Sequence, residues 1–358
     1  MTTRPSARDR RHLTGLRLAA QGIAEPRAAD PVEAVRAMLA LQGQDYLGVL
    51  WSAGLRTASA TEADVEAAHA SGALVRSWPL RGTLHLVAAE DLGWMLSLTG
   101  ERTVRGAAGR HRQLGLDDAD FARAAAIARE RLGGGGRADR AELLEAFHAG
   151  GVGTEGQRGA HLLGNLAHTG LIVLSGRTEY ALLDEHVPHP RRLDPDAALD
   201  ELALRYFTGH GPASVPDLAW WSGLPLTPVR AAVARVRDRL DALEVDGVEY
   251  LMRPGLEPLA DRVHALPGFD EYLLGYADRA AALPPEHADR IVPGGNGMFL
   301  PTLVARGEVV GTWTRDRNRR TVRATPLPFA PLPAATERGF ASAMRRYGRF
   351  LGSPIEVG

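Results

Sequence analysis

The sequence predicts a mainly α-helical protein with small β wings, of the α+β class, and three observations carry that expectation. Helical periodicity recurs along the chain. Three times it gives way to a short apolar strand pair set around turn residues, and from about Pro254 the composition shifts toward proline and glycine. Helices followed by a β-hairpin are the order of a winged helix-turn-helix. The expected organisation is therefore three tandem winged helix-turn-helix units, at residues 1–100, 101–195 and 196–255, followed by a small β-rich C-terminal module at 256–358.

The first unit opens at Asp30-Pro31, a capping residue before a proline at the first helical position, after which Val32, Val35, Met38 and Leu39 fall on one face. This amphipathic helix runs into Leu41-Gln42-Gly43-Gln44-Asp45. Tyr46 to Leu55 is a second apolar stretch, and Thr61 to His69 reads as another helix. After Trp78-Pro79, the run Arg81 to Val87 alternates apolar and polar residues like a half-buried strand. In the second unit, helices through Leu132 and Phe147 precede Gln157 to Thr169. Leu171–Leu174 and Tyr180–Leu183 then flank a turn as a hairpin wing, and Gly133 to Gly136 reads as a flexible loop. In the third, Ser214 to Leu224 is a short helix and turn with Trp220 and Trp221 in its core, and Thr227 to Leu240 is a candidate recognition helix. Leu243 to Tyr250 is a hairpin turning at Asp246-Gly247. The C-terminal module offers strands at Val309–Trp313 and Thr321–Ala324 and a closing helix, Ala334 to Leu351, which carries Arg338, Arg345, Arg346 and Arg349.

Composition removes several kinds of chemistry. The 358 residues include Lys+Arg 42 against Asp+Glu 43, every basic residue is arginine, and cysteine is absent. There is no structural disulfide, cysteine zinc site, thiol nucleophile, lysine Schiff base or lysine-completed phosphate loop. A net charge of -1 argues against a uniformly basic nucleic-acid coat, so any nucleic-acid site is local. The segment Asp184 to His189 invites a metal, but Pro188 and Pro190 stiffen it and no clustered ligand set completes a site. Neither metal nor cofactor is expected. The polar, arginine-rich stretch Met1 to Arg11 and the absence of a long apolar run read as a cytoplasmic protein without a membrane partner.

Winged helices suit duplex DNA, although they also serve as protein-interaction modules. The candidate recognition helix carries Arg230, Arg235, Arg237 and Arg239, and further arginines cluster at Arg102, Arg105, Arg110 and Arg112. The run Arg315, Arg317, Arg319 and Arg320, on a hairpin, suits a narrow minor groove. On an alternating strand Thr83 and His85 share one side. Arg81, Thr83 and His85 are candidate DNA contacts, with a histidine hydrogen-bonded at a strand edge as the equal alternative. His161 and His168 share a helix face that is exposed or turned to DNA. Asp270 and Asp278-Arg279 are expected to form internal ion pairs, with Arg279 facing phosphate as the other option. Gln42 falls on the buried face of its helix, where a glutamine needs a partner or a purpose. If that helix ends at Gly43, the Gln42 and Gln44 amides can converge, although spacing alone favours amides that cap backbone groups at a helix end.

The segments Met38–Asp45, Trp78–Val87, Leu266–Arg279 and Gly294–Val304, taken together, resemble the AlkZ-like winged-helix DNA glycosylases, over about Arg11 to Leu351. The resemblance implies three winged helices in a C shape with a small β-rich domain, and an enzyme that excises alkylated bases, including adducts of DNA-crosslinking natural products. It identifies Gln42-Gly43-Gln44 with the family's catalytic Gln-X-Gln motif, in which the middle residue usually has an apolar side chain that Gly43 lacks. Gln42 and Gln44 are then the catalytic candidates and Asp45 a possible ionised helper. The partner is double-stranded DNA carrying alkylated purines, bound by a monomer. A non-enzymatic winged-helix DNA binder or regulator is the alternative, and a protein-interaction scaffold a third.

Overall fold

A computed structural model describes residues 6–25, 28–259, 262–317 and 321–358. It is an α+β structure that divides into two compact units, Met1–Val65 with Asp200–Gly358, and Glu66–Leu199, the boundaries falling within the helices Glu62–Ala70 and Pro195–His210. No described helix is long and apolar enough to cross a membrane.

The Glu66–Leu199 unit is built on an antiparallel pair, Leu74–Leu80 with Thr83–Ala88, in register from Leu74 opposite Ala88 to Leu80 opposite Thr83, with a bulge between Ser77 and Leu80. Leu74–Leu80 also pairs with Ile172–Leu174, which pairs in turn with Tyr180–Leu182. The helices Ala89–Gln113 and Arg158–His168 pack on strand Leu74–Leu80, and Asp118–Leu132 and Arg140–Ala149 complete a core that includes Leu143, Phe147, Leu163 and Ile172. Asp117 with Asp120, and Asp139 with Glu142, form capping boxes that satisfy the first amides of two of these helices.

Two expectations change in this unit. Arg81 and Gly82 form the turn, at φ 51 and 66, rather than the start of a strand. Thr83–Ala88 is buried along nearly its whole length, so its alternating sequence does not mark a solvent face. The glycine run lies in a loop, as expected, and two of its amides are engaged. Gly134 and Gly135, at φ 71 and 80, turn their backbone N–H groups onto the Glu185 carboxylate at 3.2 and 2.6 Å. Consecutive amides at positive φ make such an anion-accepting nest, and glycine reaches that conformation without a Cβ penalty.

The other unit holds the helices Ala7–Ala20, Pro31–Ala37 and Tyr46–Arg56, most of Pro195–His210, and the pair Val215–Ser222 and Leu226–Val236. The expected recognition helix ends sooner than Leu240, passing into a 3₁₀ turn at Arg237–Arg239, and the hairpin Asp241–Val245 with Val248–Met252 follows. The C-terminal part is a five-stranded sheet in the order Ile355–Val357, Val322–Pro328, Glu308–Arg317, Thr302–Ala305, Val263–Leu266. Two of its strands are longer than their apolar runs suggested, and the other three were not expected. Helix Ala334–Leu351 lies on the sheet and packs Tyr347 and Phe350 against Trp51 at 4.9 and 5.1 Å between ring centroids. Phe350 comes so close to Gly54 that no Cβ would fit there.

Candidate active site

The Gln-Gly-Gln motif does not sit on a helix. Helix Pro31–Ala37 is capped at its start by the Asp30 side chain and ends at Met38, well before Gly43. Leu39 then takes φ 62, and Ala40–Gln42 is a short buried strand. A leucine at positive φ stores roughly 1–3 kcal/mol of backbone strain, and here complete burial of its side chain holds it in place. The turn comes at Leu39 because burying this side chain outweighs the usual preference for glycine at such a position.

The two amides do converge. Gln42 Nε2 donates to Gln44 Oε1 in a short hydrogen bond, and the Gln44 backbone N–H donates to Gln42 Oε1 at 3.1 Å. Gln42 is 5% exposed and Gln44 is exposed, so the pair presents one locked amide and one open to solvent. Asp45 occupies the N-cap position of helix Tyr46–Arg56 without making a side-chain cap, and its carboxylate lies over Gly48, where a Cβ would fall 2.6 Å from Asp45 Oδ2. Arg315 Nη2 stands 3.6 Å from the same oxygen while Arg315 Nη1 donates to the Tyr347 hydroxyl at 2.7 Å. One member of the arginine hairpin is thus directed at the residue beside the motif. Arg317 closes its strand, and Arg319 and Arg320 lie outside the described residues.

Beneath the motif is a carboxylate that sequence reasoning passed over. Glu271, fully buried, accepts the Gln42 backbone N–H at Oε1, 3.1 Å, and the Trp221 indole N–H at Oε2, 2.8 Å, with His210 Nε2 3.4 Å from the same Oε2. Burial lowers the pKa of His210, and Glu271 opposes that shift. The His210 ring stacks on Tyr206 at 4.8 Å. The signal for Glu271 was the adjacency of two acids within Phe269-Asp270-Glu271-Tyr272-Leu273-Leu274, since a carboxylate flanked by core residues must find donors.

Its neighbour Asp270 takes both terminal nitrogens of Arg56 at 2.9 Å, the Ser52 hydroxyl at 2.8 Å and the Tyr272 backbone N–H at 2.9 Å. Asp270 therefore pairs with the helix that follows the motif. Asp278 makes no ion pair among the described residues and instead accepts the Ala280 N–H at 2.8 Å. Arg279 lies against Trp220 and Phe299, at 4.9 and 5.2 Å from their ring centroids. Trp221 is core as expected, whereas Trp220 is only half-buried.

Arg81, Thr83 and His85 belong to the Glu66–Leu199 unit. Thr83 Oγ1 donates to the Leu80 carbonyl at 3.3 Å. His85 is fully buried, with Nδ1 2.8 Å from the Thr83 carbonyl, so its ring has no surface to offer DNA, and Arg81 is half-buried in the turn. In the recognition helix and the turn after it, Arg235 forms a two-pronged contact with Asp200 at 2.7 and 3.0 Å and Arg237 pairs with Glu249 at 2.8 Å, while Arg230 and Arg239 are exposed.

The family model "DNA glycosylase AlkZ-like" matches residues 35–350. An interstrand DNA cross-link repair glycosylase of Streptomyces sahachiroi is 29% identical over 167 residues, an alignment that spans 43% of this chain and 44% of that protein. The solved structure of Streptomyces sahachiroi DNA glycosylase AlkZ matches with a TM-score of 0.78 over 97% of this chain and 99% of that one, at 22% identity, which is a likeness of fold.

Proposed function

The chain belongs to the AlkZ-like DNA glycosylase family, and we propose that it is a monofunctional glycosylase that hydrolyses the N-glycosidic bond of N7-alkylated purines in duplex DNA. The observation that carries the proposal is the interlocked amide pair, Gln42 with Gln44, whose backbone is held from below by Glu271. Alkylation at guanine N7 makes the base cationic, so the bond to the sugar can break toward an oxocarbenium-like state without a general acid. What remains for the protein is to hold a water against C1′ and face the developing positive charge with oxygen dipoles. Neutral amides suffice for that. Gln42 gives one amide N–H to Gln44, its carbonyl oxygen is oriented by the Gln44 backbone N–H that it accepts, and the exposed Gln44 meets the water.

Asp45 adds a carboxylate beside the motif, paired loosely with Arg315, and serves as a helper to the water or the sugar. The helices before Ile172–Leu182 and the order helix, helix, hairpin in Val215–Met252 support winged-helix units at 101–195 and 196–255, and the proposed organisation adds one at 1–100 and a β-rich module at 256–358. Arg81, Thr83 and the arginines at 315, 317, 319 and 320 are the proposed DNA contacts of a monomer. His85 supports the Arg81 turn from inside. The name of the partly aligned relative makes interstrand crosslinks the first substrates to try, and the family resemblance adds bulky guanine adducts.

The test is release of free base from a duplex carrying one N7-methylguanine or one bulky N7 adduct. The chain contains no lysine, so the expected product is an intact abasic site, and borohydride is expected to trap no protein–DNA adduct. No base release, or efficient trapping, contradicts the proposal.

A further inference from the structure

The Glu66–Leu199 unit contains a groove with a volume of about 410 Å3, within the range of small-molecule sites. It runs between one face of helix Ala89–Gln113, through Thr103, Ala107 and His111, and one face of helix Arg158–His168, through His161, Gly164, Asn165 and His168. Trp78, Arg140 and Tyr180 complete the lining, and no carboxylate is among the described residues that form it.

Several of these polar groups have no protein partner among the described residues, although the Thr103 hydroxyl donates to the Thr99 carbonyl and the His168 ring is hydrogen-bonded to the Trp78 backbone. Among the described residues, the Trp78 indole N–H, the Arg140 guanidinium, the Asn165 amide and the Tyr180 hydroxyl make no hydrogen bond or ion pair, and His168 Nδ1 is buried without a partner. Arg140 is exposed, yet its charge reaches the Tyr180 hydroxyl, lowering a pKa that burial raises. The rings are fixed by packing: His111 stands edge-on to His161 at 5.2 Å and tilted against Phe121 at 4.9 Å. Among the described residues this concavity offers flat aromatic faces, unused donors, one free cation and no acid, and that makes it complementary to an anion that carries an aromatic group. Stacking platforms combined with positive charge are how proteins hold unpaired nucleotides.

We infer that this groove binds an unpaired nucleotide of a DNA strand, its phosphate received by Arg140 and its base laid against Trp78. The inference rests on the proposed DNA substrate, but it needs no chemistry at Gln42 or Gln44.

The groove can be closed without harming the fold. A Cβ on Gly164 meets nothing within 4 Å, and leucine favours the helix more than glycine does, so Gly164→Leu fills the space and leaves the unit folded. Binding of a labelled oligodeoxythymidine to the full chain is followed by anisotropy across a salt series, for the wild type, Gly164→Leu, Trp78→Leu and Arg140→Ala. Each variant is expected to bind about tenfold more weakly, and Arg140→Ala is expected to reduce the slope of log affinity against log salt by about one. Unchanged affinity in Gly164→Leu with an unchanged slope in Arg140→Ala would overturn the site, as would a wild type that does not bind the strand. Because the probe carries no lesion, groove effects in a protein that releases no base would leave this site standing and remove the glycosylase reading. Base release with no groove effect would do the reverse.

Discussion

The region under the Gln-Gly-Gln motif and the groove of the Glu66–Leu199 unit treat polar groups in opposite ways. Under the motif, both oxygens of Glu271 and both of Asp270 are taken by named donors, and Arg56 spends its terminal nitrogens on Asp270, Ser52 and Gln21. In the groove, a guanidinium, an indole and an amide stand unused among the described residues. Buried polar groups tied to close partners rigidify what they touch, even though Arg56 Nε and the His210 ring nitrogens make no hydrogen bond among the described residues, whereas open donors around a void are kept solvated until a ligand replaces the water. One region is built to hold a geometry and the other to receive a molecule.

The contrast breaks most visibly at the buried ion pair. Arg56→Ala leaves Asp270 charged and buried without its partner, and the loss expected is about 3–5 kcal/mol of unfolding free energy in a denaturant titration. A change below about 1 kcal/mol would mean that the network is looser than its geometry. Next comes the motif. Gln42→Ala and Gln44→Ala are each expected to slow base release by about 10²–10³-fold with little loss of DNA affinity. Glu271→Gln keeps an acceptor for the Gln42 N–H while removing the charge beside His210, so it is expected to lower the rate of release less than either motif variant. A Glu271→Gln protein as slow as Gln42→Ala would show that the carboxylate acts by its charge and not by holding the backbone.

Acid sharpens the comparison further. His69 in the Glu66–Leu199 unit and His264 in the other are each held down to about 4, chiefly by burial. The unfolded chain protonates a histidine near 6.5, so it binds more protons than the folded one between that value and about 4. The stability each neutral histidine contributes is therefore fully present above this window and lost as pH falls through it. Each contributes on the order of 3 kcal/mol, and the melting temperature is expected to fall steadily from about pH 7 to about pH 4. His69→Gln and His264→Gln should each flatten part of that slope, and a slope unaltered by both would place the acid sensitivity elsewhere. The groove variants come last, with their tenfold effects on strand binding.

Local signals carried most of the helices. Ala334 to Leu351 has the same ends in sequence and structure, and Asp246-Gly247, at φ 50 and 74, makes the hairpin turn its dipeptide announces. The motif was misplaced because the chain turns at Leu39, a residue type that rarely takes positive φ, while Gly43 drew the expected helix end downstream. Gln42 and Gln44 could be read as a pair from their spacing and from the family resemblance. That Glu271 needs donors was legible in its apolar neighbours, but not which ones, because its partners lie at positions 42, 210 and 221 and only the fold assembles them. The arginines of the Leu226–Arg239 stretch show the same limit, since Arg235 and Arg237 are occupied by Asp200 and Glu249, which no helical spacing would reveal.

The central claim is that Gln42 and Gln44 hold the water that releases the base, and single-turnover kinetics test it directly. The measurement is base release from a duplex bearing one N7-methylguanine, with enzyme in excess, for the wild type, Gln42→Ala and Gln44→Ala, each first shown to bind that duplex equally. A fall of at least about a hundredfold in both variants, with an intact abasic strand left by the wild type, is the expected result. Release at the wild-type rate from both variants would contradict it.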